Sequence, residues 1–331
     1  MFFNRLSGVV LLIVLLPLSG CYYMQAVGGQ MEIIRKREPI DEIIAAGDAS
    51  PEVAARLALV LEARQFSIDV LGLPDNDSYR GYADLERDYV VWNVIAAPEF
   101  SLQPKTWCYP VVGCVSYRGY FSRQAAEKLA DKLRADGYDI AFGGVAAYST
   151  LGKFDDPILN TMMQWGDDEL VAVMFHELAH QLLYVKDDTG FNESFATAVE
   201  EFGMERWLAS RGQQAELLAW QSRRELRARF TALVAAARDD LEQIYASDSD
   251  PQWQRQQKAL RLDALAGAAK KEFSAAGSAA PAWLDSELNN ARLVATTLYH
   301  GRLPEFRALL AECDDDLGCF YKAARKLADS T

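Results

Sequence analysis

His176 and His180 flank Glu177 in the pentapeptide His176-Glu177-Leu178-Ala179-His180. On a helix, residues four apart share one face, so the two imidazoles stand about one turn apart and suit a single tetrahedral zinc ion. Glu177 projects beside them, where a carboxylate takes a proton from a metal-held water and returns it to a leaving amine. The spacing predicts metal-assisted hydrolysis with Glu177 as general base. Val171, Val173, Met174 and Leu182 around the pair predict a buried helix, in which unpaired histidines are costly.

Zinc needs a third protein ligand. The spacing that would supply a glycine at position 183 and a histidine at 186 is excluded by Leu183 and Lys186, and the third histidine, His300, lies far along the chain beside a predicted loop. A carboxylate from the next helix is the remaining option, and Glu193 in Asn192-Glu193-Ser194-Phe195-Ala196 is the nearest to the histidine segment. Glu200 and Glu201 compete for the role. Glu200 falls on the same helical face as Glu193, where it either orients a histidine or faces solvent, and the surface reading is preferred.

These residues need positioning elements. Asp167 to Leu183 reads as the helix carrying the histidine pair, with Asp168 and Glu169 where a helix start favours negative charge. A loop through Lys186-Asp187-Asp188-Thr189-Gly190 leads to a second helix over 192–209, capped by Asn192. Upstream, Tyr22 to about Ser67 is helical in pattern, with Ser50 a cap before Pro51. Residues 89–96 read as a strand and 105–112 as its antiparallel neighbour. Ser122 caps a helix ended by Gly137, and residues 138–148 form one or two short strands bent at Gly143-Gly144. Beyond Gly212 the pattern is almost wholly helical, with Leu226, Phe230, Leu233, Ala237, Leu241 and Ile244 on one apolar face.

The 331 residues, 50% hydrophobic and 24% charged, have an ordinary globular composition. One charge, Arg5, precedes an apolar run from Val9 to Leu16 that is too short for a permanent membrane span, so residues 1–20 read as a signal peptide. It ends in Leu18-Ser19-Gly20-Cys21, which resembles a bacterial lipobox and makes Cys21 the lipidated first mature residue. Tyr22 in place of aspartate favours the outer membrane, facing the periplasm. An oxidising compartment favours disulfides, and equal spacings predict Cys108 to Cys114 and Cys313 to Cys319. The formal charge of −13 becomes −14 when the segment containing Arg5 is removed, which disfavours nucleic acid and anionic lipid as partners. Membrane contact is expected through the lipid anchor only, and the sequence sets no oligomeric state.

His176 to His180 followed by Asn192-Glu193 and Ala196 resembles the gluzincins, the thermolysin and aminopeptidase N class, in which the second helix donates a glutamate to zinc. The stretch from His180 to Glu193 is shorter than in those two enzymes, and Thr197 stands where thermolysin-like enzymes carry the aspartate that holds a zinc histidine. A closer resemblance is to the bacterial family called predicted aminopeptidases, which are exported lipoproteins. It is carried by residues 144–152, Phe154-Asp155-Asp156-Pro157, Phe175 to Gln181, Phe191 to Thr197, Cys108 to Phe121 and Asn289 to Leu293. These resemblances imply peptide substrates, one zinc ion and an amino-terminal preference. They also imply an edge strand that pairs with substrate, for which Gly144, Val145, Ala146 and Tyr148 are placed. An oxyanion donor is implied opposite the zinc, with Tyr299 and His300 as candidates and Tyr148 behind them. No aminopeptidase N signature for the substrate amine is present, so endopeptidase action stays open, as does a non-enzymatic envelope lipoprotein that keeps metal for stability.

The expected architecture is α+β and mostly helical: a gluzincin-like zinc peptidase core with a small antiparallel sheet over residues 21–211, and a helical cap region over 212–331.

Overall fold

The structure, a computed structural model, describes residues 17–109, 113–286, 288–297 and 302–329. It is mostly helical with small sheets, as the pattern requires. Helix α1 (Pro17–Lys36) leads through a short strand, β1 (Arg37–Pro39), to α2 (Ile40–Ala46) and α3 (Pro51–Asp69). Ser50 caps α3 by accepting from the Val53 amide at 3.3 Å, and Pro51 sits in the first turn, where its missing N–H is not needed. Arg64 on α3 is fully buried and donates to the carbonyls of Pro74, Asn76 and Ser78, fixing the loop that leads to β2 (Gly81–Ala83).

The central sheet has the order β6-β3-β7, with β3 (Val91–Pro98) between β6 (Arg118–Tyr120) and β7 (Tyr138–Val145), all antiparallel. Helix α4 (Arg123–Ala135), capped by Ser122, joins the last two and buries Ala126, Ala130 and Leu133 against the sheet. Strand β7 runs without a bend through Gly143-Gly144, in unbroken register from Pro98↔Tyr138 to Val91↔Val145. Of the expected strand over 105–112, the described residues 105–109 form no ladder with β3, to which only the Lys105 amide donates, at Ala96 O and 2.8 Å. Instead β4 (Trp107–Tyr109) folds back on β5 (Gly113–Val115) with Cys108 opposite Cys114, and the place beside β3 is taken by β6. The disulfide Cys108–Cys114 closes so short a loop that this segment pairs with itself. A third sheet joins β1, β2 and β8 (Ile158–Leu159), with a parallel contact between β2 and β8.

A single 3-10 turn over Asn160–Gln164 precedes α5 (Asp167–Leu182), followed by α6 (Thr189–Ser210), α7 (Gln214–Ala246), α8 (Pro251–Ala275) and α9 (Trp283–Ser286), then by α10 (Asn290–Thr297), α11 (Leu303–Glu312) and α12 (Leu317–Ala328). Besides the small clusters on the two faces of the central sheet, two larger cores carry the burial. The larger gathers α3, α5 and α6 with Trp220 of α7 and, from the chain's end, Leu303, Phe306, Phe320 and Tyr321. The second lies between α7 and α8, where the anticipated face of Phe230, Ala237 and Leu241 meets Leu262, Leu265 and Ala269. Cys313–Cys319 links α11 to the start of α12. Among the described residues no helix is long and apolar enough to cross a membrane.

Candidate metal centre

Helix α5 begins with Asp167, Asp168 and Glu169, whose charges suit its N-terminus, and it buries Leu170, Val171, Met174, Phe175 and Leu178. Those side chains fix the helix's rotation, which turns His176 and His180 toward α6. Leu183 adopts an extended conformation and stops the helix, so the chain turns through 186–188 and enters α6. Asp188 caps α6 by accepting from the Phe191 amide at 2.8 Å. Asn192 is therefore not the cap. Its buried amide bonds both the N–H and the C=O of Val185, each at 2.7 Å, and so clamps the inter-helix loop to the first turns of α6. That clamp sets Glu193 opposite the histidine pair.

His176 Nε2 lies 3.2 Å from His180 Nε2 and 3.3 Å from Glu193 Oε2, and His180 Nε2 lies 3.8 Å from the same oxygen. Donors bound to tetrahedral zinc at about 2.0–2.2 Å are separated from one another by about 3.3–3.6 Å. The triangle fits a shared cation, and the donor set of two imidazoles and one carboxylate suits zinc. Glu200 does not face solvent. It is 9% exposed, and its Oε2 lies 3.0 Å from His176 Nδ1, where it directs the ring's other nitrogen to the triangle. Glu201 turns away, chelated by Arg307 at 2.9 and 2.7 Å and flanked by Arg224 at 3.4 Å. His180 Nδ1 is buried without a hydrogen-bond partner among the described residues.

Charges in this cavity are strongly coupled. Burial disfavours a charged His176, yet its hydrogen bonds to Glu193 and Glu200 and the charge of Glu200 outweigh that and lift it to about 10. Burial and the neighbouring His176 charge push His180 down to about 4. Burial raises Glu177 to about 7, against the pull of His176, with Glu193 and Asp156 adding to the rise. A cation held at the three donors would shift the balance toward ionised Glu177.

Three further segments surround the centre. Tyr117, between β5 and β6, carries a phenol held protonated by burial and then by the charge of Glu193, with Tyr184, Glu177 and Tyr148 also within electrostatic reach. The hairpin beside it is pinned to the ligand loop, since the Cys114 amide donates to Asp187 Oδ1 at 2.8 Å. Ser149 interacts with Glu177 and donates to Asp156 Oδ2 at 3.2 Å, while Thr150 gives Asp156 two further bonds at 2.8 Å. Tyr79, 2% exposed and with a positive φ of 62°, brings its hydroxyl into the field of Glu177 and Asp156.

A family model described as "Putative aminopeptidase" matches residues 21–331. The chain belongs to this family. Comparisons with curated proteins and with solved structures returned no match. The family description agrees at the level of peptidase with the arrangement of ligand-type residues around a half-buried carboxylate.

Against the residues anticipated from sequence, the structure brings His176, Glu177, His180 and Glu193 together and forms both anticipated disulfides. Tyr299 and His300 lie outside the described residues, and Cys21 lies on α1. Gly144 and Val145 end the edge strand β7, Ala146 follows it, and the Tyr148 ring packs edge-on against Phe121 at 5.5 Å. Gly144 has no room for a side chain, because a Cβ would lie 2.3 Å from the Tyr89 ring. Along the free edge of β7, Ile140 O accepts from Asn289 at 2.9 Å, Phe142 O from Arg292 at 3.4 Å, and Ala146 O from Thr161. Alternation therefore leaves Gly144 as the outward backbone position between them. Sequence reasoning missed Tyr117 and gave Ser149 and Asp156 no role. They sit far from the histidines in sequence, and only the matched segments 108–121 and 144–157 pointed to them. The Asn289-Asn290 pair is structural: Asn290 donates to the carbonyls of Pro98, Glu99 and Ser101 and receives the Tyr245 hydroxyl.

Proposed function

We propose that this protein is a zinc-dependent aminopeptidase of gluzincin type, lipid-anchored through Cys21 in the bacterial cell envelope at the outer membrane facing the periplasm. The observation that carries the enzymatic part is the donor triangle of His176, His180 and Glu193 with the half-buried Glu177 carboxylate beside it. The anchoring part rests on the apolar run from Val9 to Leu16 and the Leu18-Ser19-Gly20-Cys21 tetrapeptide that follows it.

Zinc, when bound, supplies a Lewis acid that polarises the scissile carbonyl and acidifies the attacking water. His176, His180 and Glu193 would hold it, with Glu200 fixing the His176 ring. Glu177 accepts the proton from the attacking water and passes it to the leaving amine nitrogen. Ser149, which donates to Asp156, interacts with Glu177 and steadies its carboxylate. The Tyr117 hydroxyl, protonated and in the field of Glu193 and Glu177, is the donor assigned here to negative charge growing on the carbonyl oxygen. Gly144 offers its outward backbone groups to an extended peptide.

The test uses the zinc-loaded soluble domain without residues 1–21 on a mixed peptide library read by mass spectrometry. Loss of single N-terminal residues is expected, and internal cuts would show an endopeptidase. Glu177→Gln should lower turnover by about 10²- to 10⁴-fold while retaining zinc. No cleavage by the loaded parent, or unchanged cleavage by the variant, would sink the enzymatic reading.

A further inference from the structure

We propose that the outward face of α1 lies on the bilayer, so that the metal centre is held at the membrane surface and acts on peptides or polypeptide N-termini displayed there. This rests on the proposed anchoring at Cys21 and on the peptidase reading, and it adds where and on what the enzyme works.

A lipid anchor is usually imagined on a flexible leash, and this chain has none. The residue after Cys21 is already packed: the Tyr22 ring stacks on Tyr109 at 5.6 Å, meets Tyr120 edge-on at 5.4 Å, and lies under the Arg118 guanidinium at 4.1 Å. Tyr22 and Tyr109 hydroxyls are 3.1 Å apart. One turn on, Gln25 Oε1 accepts from the Phe121 amide at 2.9 Å. At Gly29 the helix backbone presses on the Phe121 ring so closely that a Cβ would sit 2.1 Å from it. Glu32 then pairs with Arg87 at 2.8 Å, and Ile33 enters the larger core.

The segment that receives α1 also flanks the metal centre. Arg118, stacked on Tyr22, is the chain neighbour of Tyr117, whose phenol senses Glu193 and Glu177. Phe121, held by Gln25 and Gly29, packs on Tyr148, one residue before Ser149. Two layers of side chain thus separate the anchor-bearing helix from the site, and no spacer intervenes.

The opposite face of α1 points out and is apolar. Tyr23, Met24, Val27 and Met31 are 45%, 74%, 61% and 47% exposed, at the spacing of one helical stripe. Residues 22–31 carry no charge at all, in a chain whose formal charge is −13. A helix lying in the interface plane has its apolar side on the acyl boundary, and acyl chains at its first residue supply the affinity that so short a stripe lacks. That continuity with Cys21 selects a bilayer as the occupant.

The experiment uses the full acylated protein in vesicles of phosphatidylcholine and phosphatidylethanolamine. Mass spectrometry of the N-terminal peptide first reports acylation of Cys21. A fluorophore on Val27→Cys should be blue-shifted and quenched by nitroxide-bearing lipid, and one on Ala264→Cys should not. Zinc-loaded protein should cleave a vesicle-displayed peptide about tenfold faster than a variant with twenty Gly/Ser residues inserted after Cys21, which adds roughly 25 Å of reach. Both should cleave a soluble peptide alike. An unacylated Cys21 overturns the proposal together with the anchoring reading. Acylation with equal quenching at 27 and 264, or a soluble form that dimerises through α1, overturns the proposal alone. Failure to cleave either peptide removes the substrate half along with the peptidase reading, and the quenching ratio still decides the apposition.

Discussion

His176 reaches in two directions, and its double engagement makes the proton a competitor for the metal. Without metal it is lifted to about 10 from an ordinary value of 6.5, so its protonated form contributes stability that is complete below pH 6.5 and fades as pH climbs toward 10. His180, pushed to about 4, is already neutral at pH 7. Zinc uptake should then release about one proton per ion from His176 at pH 8, and up to about half a proton more from Glu177 at pH 7, with affinity rising roughly tenfold per pH unit. Calorimetry in two buffers of different ionisation enthalpy reads this directly, and uptake without proton release would show that His176 is neutral beforehand. Glu200→Ala should weaken zinc by about 10- to 100-fold, measured against a chelator of known affinity, because the ring loses the carboxylate that aims it. Four residues of the cavity were legible from spacing alone, since HExxH and a following glutamate state their own geometry. Glu200 was not. Its position seven beyond Glu193 gave the face, but a glutamate on a helix is by default solvated, and only the packing of α5 on α6 buries it.

At the scale of elements, the metal centre depends on how two helices are joined. Asn192 bonds both peptide groups of Val185, so Asn192→Ala leaves the half-buried Val185 N–H unpaired and its C=O with only the longer bond from the Asp188 amide at 3.4 Å. The expected cost is about 1–3 kcal/mol in chemical denaturation, with weaker zinc binding in parallel. Full stability with weakened zinc would mean that the clamp orients Glu193 without supporting the fold. Helix starts at Ser50 and Ser122 were readable because a capping hydroxyl acts within three residues. The start of α6 was misread, since Asp188 and Asn192 are both capping types four residues apart and local chemistry does not rank them. Strand partners were less legible still. Residues 91–98 declare a strand, but their neighbours are chosen by the hairpin that the first disulfide closes and by the register with β7.

Over the whole molecule, the chain's end returns to support the ligand helix. Phe306 and Phe320 of α11 and α12 pack on Phe191 and Phe195, the residues either side of the turn that carries Glu193. Phe306 is fully buried, so Phe306→Ala should cost about 3–5 kcal/mol by thermal or denaturant unfolding, and its zinc affinity should fall as α6 loosens. An apolar face announces that it will be covered but does not name its cover, which is why this return was not visible in the sequence. The edge of β7 has a consequence of its own. A bare strand edge invites identical edges to zip together, most of all when molecules are crowded on a surface. Here Asn289, Arg292 and Thr161 plug the positions on either side of Gly144, leaving a gap one residue wide. So narrow an opening admits the tip of a peptide and offers no length over which two copies of the protein can seed an aggregate.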